Sequence, residues 1–217
     1  MSKQSWRPGN MLYPVPAVLV SVRNSEGKDN LITVAWAGTV CSDPAMVSIS
    51  VRKERFSHAM LLESREFCIN LTTKAIVKQV DYCGVRSGRD VDKFAETGLT
   101  KGKCEKIAAP LVEESPINIE CRVKEVVELG THDLFLAEVV NVQVEESLLN
   151  EHGTLKLERA DLISYSHGEY FTLGEKVGYF GYSVRKKTNK KGQSKKTKKT
   201  DRSSKNTKGK KESKKKR

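Results

Sequence analysis

Residues 35–44 read AWAGTVCSDP and lie between two runs that read as strands, Leu31-Ile-Thr-Val-Ala and Met46-Val-Ser-Ile-Ser-Val. The stretch holds one large aromatic, Trp36, then small residues, two hydroxyls and a thiol, with no charge before Asp43. A packed core would want bulk beside an indole. Two readings stay open on these residues alone. One is a bulged strand whose Trp36 is core; the other is a strip where small side chains let a flat, heteroaromatic ligand approach the backbone. In the second, amides and the hydroxyls of Thr39 and Ser42 supply hydrogen bonds. Pro44 ends the strip by removing a donor.

Working outward, strand signals dominate. Val47, Ile49 and Val51 alternate with Ser48, Ser50 and Arg52; Ile117, Ile119, Cys121 and Val123 alternate with Asn118, Glu120, Arg122 and Lys124; Val140, Val142 and Val144 alternate with Asn141, Gln143 and Glu145. A period of two predicts sheets with one buried and one wet face, as in antiparallel sheets. Further strands are predicted at 15–23, 31–36, 66–71 and 133–140, and the turn-forming stretch Asn24-Ser-Glu-Gly-Lys-Asp makes the first two a hairpin. Helices are few. Ser57 is read as the N-cap of one through Ser64, and Thr73 of one through Cys83 that Gly84 stops. Many strands with short helices inserted predict a mainly β protein, a barrel with helical decorations, rather than a doubly wound α/β fold.

The chain of 217 residues carries 39 Lys or Arg against 27 Asp or Glu. The balance is uneven along its length. From Arg185 onward stand eighteen basic and two acidic side chains, which leaves 21 basic and 25 acidic in residues 1–184. The basic stretch has almost nothing apolar to bury, so 185–217 is expected to be disordered and 1–184 to be the folded domain. A lysine-rich arm is the footprint of nonspecific contact with nucleic acid or acidic surfaces, and without aromatics between its lysines it has no means of stacking bases. Five cysteines (41, 68, 83, 104 and 121) without a CxxC argue against a zinc cage or a disulfide framework. They fit reduced thiols in a cytoplasmic protein. No secretory signal is visible, and the longest apolar run, around Val15 to Val20, is too short to span a bilayer.

Beyond the small-residue strip, Arg52, Lys53 and Arg55 precede Ser57 and His58 at a predicted helix start. Free amides and a helix dipole backed by cations form an anion site, and phosphate is its natural occupant. A planar ring at the strip and a phosphate at the helix start would lie about one strand length apart. Neither the three glycines Gly174, Gly178 and Gly181 nor any other segment has the strand–helix setting of a Rossmann or Walker loop. Cys41, without a resolving partner nearby, reads as packing, and His132 and His152 as surface or loop residues.

Asn30-x-x-Thr-x-x-Trp36, AGTVCSDPAMVSISV, RFSH and EFCINL, followed by SGRDVDKFAETGLT (87–100) and HGEYFTLGEKVGYFGYSV (167–184), resemble the flavin reductase family, an FMN-binding split barrel. The resemblance covers about residues 8–184 and favours the flavoredoxin-like and archaeal flavin or ferric reductase-like branch over pyridoxamine-phosphate-oxidase-like barrels. It implies a six-stranded Greek-key barrel, a homodimer and one FMN per subunit near the interface. It implies an oxidoreductase that takes electrons from NAD(P)H, bound transiently, or from a protein donor, and passes them to a flavin, ferric or protein acceptor; the alternative is a non-enzymatic FMN electron carrier. On this resemblance Asn30, Thr33, Trp36, Ala37, Thr39, Cys41 and Ser42 line the ring and ribityl chain, and Lys53, Ser57, His58 and Arg52 face the phosphate. Asp92 and Lys93 approach either part, and Tyr165 and His167 border the open face of the ring. The lysine-rich stretch has no counterpart in the family pattern. Flavin chemistry leaves binding, orientation and electrostatics to the protein, which accounts for the lack of a Ser/His/Asp or paired-carboxylate constellation.

Overall fold

The computed structural model describes residues 1–185. One compact unit runs from Met1 to Glu175; a second begins at Lys176, and its described part holds a short helical turn, Tyr182–Val184. The stretch expected to be disordered lies, apart from Arg185, outside the described residues.

In chain order the first unit contains β1 (Val15–Pro16), β2 (Val18–Arg23), β3 (Asp29–Val34), β4 (Ala37–Ser42), β5 (Ala45–Arg52), α1 (Phe56–Ser64), β6 (Glu66–Leu71), α2 (Val77–Val85) and α3 (Lys93–Thr97). Then follow β7 (Lys101–Lys103), β8 (Pro110–Val112), β9 (Ile117–Leu129), β10 (His132–Val144), β11 (Ile163–Ser166) and β12 (Glu169–Thr172). Seven strands form one antiparallel sheet in the order β3-β2-β6-β9-β10-β5-β4. The two ends of that order are consecutive in the chain, so the sheet curls on itself. β3 pairs with β2 (Leu19 opposite Thr33); two residues later β4 pairs with β5 (Ala37 opposite Ile49), and the Ser50 amide donates to the Trp36 carbonyl at 2.8 Å. β3 and β4 thus act as one bent strand, and the six-stranded barrel closes through the bend at Ala35–Trp36. The strip of small residues is a strand with a bulge between Thr39 and Cys41, but Trp36 is 49% exposed and therefore not core.

Alternation sorts the side chains as expected on the inner face. Val18, Val20, Val22, Ile32, Val34, Ile49, Phe67, Ile69, Cys121 and Phe135 fill the barrel, and Met60 and Leu61 of α1 pack against them. Leu19 and Leu31 point outward, where Ile76, Val80 and Cys83 cover them together with Phe94 of α3. The predicted wet face is where the structure differs. Asn118 and Glu120 are buried, because β7, β8 and the chain between them lie over that face. Burial of polar groups requires partners, and they are present. Asn118 Nδ2 donates to Asn70 Oδ1 (2.8 Å) and to the Val112 carbonyl (3.0 Å). The Glu120 carboxylate accepts from the amides of Glu105 (3.0 Å) and Lys106 (2.7 Å), from Asn141 Nδ2 (2.8 Å) and from Gln143 Nε2 (3.0 Å).

Two helix boundaries also differ from expectation. Arg55, not Ser57, occupies the N-cap of α1, and Ser57 lies inside the helix. Gly84 lies within α2, which ends at Val85 with Arg86 as its C-cap; its lack of a side chain serves the helix's approach to β3, since a Cβ there would sit 3.3 Å from Thr33 Cβ. No helix among the described residues is long and apolar enough to cross a membrane.

Burial by itself would raise the Glu120 pKa, but its four hydrogen-bond donors outweigh that and hold it below the usual carboxylate value. Its contribution to stability is therefore present above the ordinary glutamate pKa and is lost as pH falls through the lower, folded value. Glu120→Ala leaves the donors buried without an acceptor and should cost about 3 kcal/mol or more at neutral pH. Urea unfolding at pH 7 and in acid checks both points: the gap between variant and parent should narrow in acid.

Candidate functional site

Bending one strand between two partners opens a split in the barrel wall. Past the bend, the outer edge of β3 at Ile32–Val34 faces Val51 and Arg52 of β5, and no strand among the described residues pairs with it. Backbone amides and carbonyls on such an edge remain available to a ligand. The split is the floor of a cavity of about 300 Å³, walled by Trp36, His132, Arg52 and Arg55 and by Asp81, Gly84 and Val85 of α2. Tyr165, Gly168 and Tyr170 of the β11–β12 hairpin complete it. Trp36 is tilted against His132 with ring centroids 5.7 Å apart. Burial and the nearby Arg52 lower the His132 pKa, so this ring is neutral at pH 7. Thr131 Oγ1 lies 2.8 Å from His132 Nδ1, which leaves Nε2 as the nitrogen free for the cavity. Burial and Asp81 push the Tyr170 phenol up to about 12, and it donates to Asp81 Oδ1 at 3.2 Å.

Ile32 and Arg55 belong equally to a second cavity, of about 340 Å³, so the two are lobes of one cleft. The second lobe is cationic. Arg55, Arg86, Arg89 and Lys93 line it against a single carboxylate, Glu54, and the first turn of α1 and the Ser87-Gly88 backbone contribute polar groups. Asn30 Nδ2 donates to Ser57 Oγ at 2.7 Å, both residues being buried. Gly88 is required here: a Cβ would fall 2.2 Å from Asn30 Oδ1. Lys93 is also buried, its ammonium donating to the carbonyls of Leu31 (2.7 Å) and Cys83 (2.8 Å). Desolvation lowers its pKa to about 8, with Arg55 adding repulsion. An anion in the lobe would relieve both effects.

The candidates read from sequence divide as follows. Thr33, Trp36, Arg52 and Tyr165 line the first lobe, and Asn30, Ser57 and Lys93 the second. Ala37, Thr39, Cys41 and Ser42 lie along β4 at the sheet edge and line neither. Lys53 and His58 turn away from both lobes to Asp133: Lys53 Nζ lies 3.2 Å from Oδ1, and His58 Nε2 lies 2.7 Å from Oδ2. Helix geometry explains this, because consecutive residues on α1 point about 100° apart and Ser57 and His58 cannot face the same lobe. Burial would raise the Asp133 pKa, but the His58 and Lys53 partners hold it below the carboxylate range. Asp92 caps α3, accepting from the amides of Phe94 and Ala95. His167 is exposed and 5.9 Å from the Tyr13 ring.

Residues that sequence reading left out of the site are His132, Asp81 and Tyr170 in the first lobe and Arg86, Ser87, Gly88 and Arg89 in the second. The last group did carry a signal, two arginines around a Ser-Gly pair in a loop. His132 carried none, because it meets Trp36 only through the pairing of β10 with β5.

Residues 10–174 match the family model described as flavin reductase like domain. The flavoredoxin of Desulfovibrio vulgaris (Miyazaki F) is 31% identical and superposes with a TM-score of 0.79, covering 85% of this chain and 100% of that one. Flavoredoxin from Methanosarcina acetivorans is 29% identical with a TM-score of 0.78, again over 85% of this chain and 100% of its own. The NADH:riboflavin 5'-phosphate oxidoreductase of Streptomyces pristinaespiralis is 24% identical over 64% of this chain and 77% of its own length.

The contact between Gly88 and Asn30 makes a test of the second lobe's construction. Gly88→Ala should destabilise the protein by about 1–3 kcal/mol through forced displacement of Asn30. Combined with Asn30→Ala, the loss should be clearly less than the sum of the single losses. A double-variant cycle of thermal unfolding measures this coupling; additive losses would place the strain elsewhere.

Proposed function

The chain belongs to the flavin reductase like family, and we propose that it binds FMN in the two-lobed cleft and works as a flavin-dependent oxidoreductase. One observation carries this reading: an aromatic-walled lobe with an open strand edge runs, through Ile32 and Arg55, into a lobe with four cationic side chains. A tricyclic ring with a phosphate at the end of a short chain has the same division of chemistry. Trp36, Thr33, Val34 and the β3 edge would hold the ring; Arg55, Arg86, Arg89, Lys93 and the start of α1 would hold the phosphate. The lobes' volumes of about 300 and 340 Å³ are ample for such a ligand.

When bound, FMN supplies the electron-transfer chemistry. The protein's residues bind and orient. Arg55, shared by both lobes, fixes the phosphate relative to the ring, and neutral His132 presents its cavity-side nitrogen, Nε2, without adding charge. The electron donor is NAD(P)H or a protein, and the acceptor a flavin, a ferric compound or a protein. The open β4 edge, whose Val40 is half-exposed and whose residues 37–42 carry no charge, supports a homodimer in which that strand meets a second copy. Five free thiols, four of them buried, support a cytoplasmic setting.

Titration with FMN should quench both flavin and tryptophan fluorescence with a stoichiometry of one per chain. Riboflavin, which lacks the phosphate, should bind at least tenfold more weakly, and Arg55→Ala should remove most of that difference, about 1.5–3 kcal/mol for a charged hydrogen-bonding partner. No quenching at saturating FMN would overturn the reading. Affinity also depends on pH. Lys93 binds the phosphate as the cation, so FMN affinity should be level near pH 7, where the phosphate (second pKa about 6) is largely dianionic, and fall as pH rises through the Lys93 pKa of about 8. Lys93→Gln should bind more weakly throughout and lose that decline, as equilibrium titrations across pH 6.5–9.5 will show. Anaerobic mixing of the FMN-loaded protein with NADH or NADPH, followed by flavin bleaching, identifies the donor.

A further inference from the structure

Beneath the segment that covers Glu120 lie two thiols that the cleft does not use. Cys68 of β6 stands opposite Glu120 of β9, so their side chains share the outer face of the sheet, whereas Cys121, opposite Phe67, faces the barrel interior. Glu120 holds the amides of Glu105 and Lys106 at 3.0 and 2.7 Å, which sets the residue before them, Cys104, down on Cys68. Cys68, Cys104 and Leu111 pack as one buried cluster, and the two thiols are close enough to hydrogen-bond each other. Cys41 lies apart on β4, and Cys83 in the apolar layer of α2.

A bond between these sulfurs would close residues 69–103 into a loop that holds α2, α3 and three of the second lobe's four cations, Arg86, Arg89 and Lys93. The closed structure resists that reaction. The Cys104 partner and burial push the Cys68 thiol well above its ordinary pKa, and the thiolate is the reactive form. Reaction therefore requires the cover to lift locally. The cover is held to this face by hydrogen bonds to Glu120 and Asn70.

We propose that Cys68 and Cys104 form a redox modification site, a thiol pair that a peroxide converts to a disulfide bracing the outer wall of the cationic lobe. When the cover lifts, Cys104 loses its proton and its thiolate attacks one peroxide oxygen. The O–O bond breaks, leaving a sulfenic acid and a hydroxide that takes up the released proton. As the cover settles, the Cys68 sulfur attacks the sulfenic sulfur. An S–S bond replaces the S–O bond, and the hydroxyl leaves with the Cys68 proton as water. Two thiols thus give up two electrons and two protons, and one hydrogen peroxide becomes two waters. A small dithiol reverses the change. None of this depends on what the cleft binds.

The test exposes the full, reduced chain to hydrogen peroxide at pH 8 without denaturant, blocks the remaining thiols with N-ethylmaleimide and maps the tryptic peptides. The expected product joins residues 66–74 to 104–106, and dithiothreitol separates them. The oxidised chain should melt at a higher temperature than the reduced one, because the cross-link restricts the unfolded loop. Cys104→Ser, a nearly isosteric change, should show neither the joined peptide nor the shift. Glu120→Gln, which weakens the hold on the cover, should speed cross-linking by about threefold or more. No cross-link in the native parent chain, or Cys68 joined mainly to another cysteine, overturns the proposal. So does an oxidised chain that melts no higher than the reduced one, or a rate in Glu120→Gln no faster than in the parent.

Discussion

One stretch of chain, from Asp29 to Ser42, serves two partners: β2 along its first half and β5 along its second. The rest of the structure depends on that change of partner. Pairing to β5 closes the barrel and completes the core, because Ile32 and Val34 on one side of the bend and Ile49 and Val51 on the other line the same interior. The same bend must leave a gap, since a strand that departs toward β5 only at Trp36 cannot also be hydrogen-bonded to it at Ile32–Val34. Closure of the barrel and opening of the cleft are thus one geometric event. Bulk would be out of place along residues 37–42, where β4 runs at the sheet edge and the half-exposed indole of Trp36 stands over the gap.

The outer layer turns the gap into a site. α2 and α3 lie on Leu19 and Leu31 because those outward positions of β2 and β3 are apolar, and Val80, Cys83 and Phe94 complete the contact. The burial that anchors these helices also sets the loop Arg86–Arg89 and the side chain of Lys93 beside Asn30 and Ser57. Burying Lys93 in this lobe has a cost, visible in a pKa lowered chiefly by desolvation and further by Arg55, and apolar packing behind the helices offsets it. Directly beside this layer, where Leu19 stands opposite Asn70 across β2 and β6, polar groups do the covering: Asn70, Asn118 and Glu120 bind β8 and the segment before it through hydrogen bonds.

Charge is distributed to match. The cationic lobe, the first lobe with His132 and Tyr170 held uncharged beside Arg52, Arg55 and Asp81, and a third cavity of about 420 Å³ free of charged side chains follow one another around Arg55, Trp36 and Tyr165. On the reading proposed above, a graded polarity of this kind orients an amphipathic ligand by its ends.

The amino-acid pattern alone determined whatever depends on near neighbours. Alternation at 47–51, 117–123 and 140–144 foretold the strands and Asn24–Asp29 the first hairpin, and the arginines at 52 and 55 stand at the cleft, whereas the small residues after Trp36 line neither lobe. Features that depend on distant segments meeting were decided by tertiary structure. His132 reaches Trp36 because β10 pairs with β5, Lys93 reaches the Leu31 carbonyl because α3 docks on β3, and Glu120 is buried because residues 101–112 fold over it. Ser57 and His58, adjacent in sequence, part company because a helix turns its side chains by about 100° per residue. Periodicity reports which side chains share a face; only closure of the barrel and docking of its outer layer settle what each face meets.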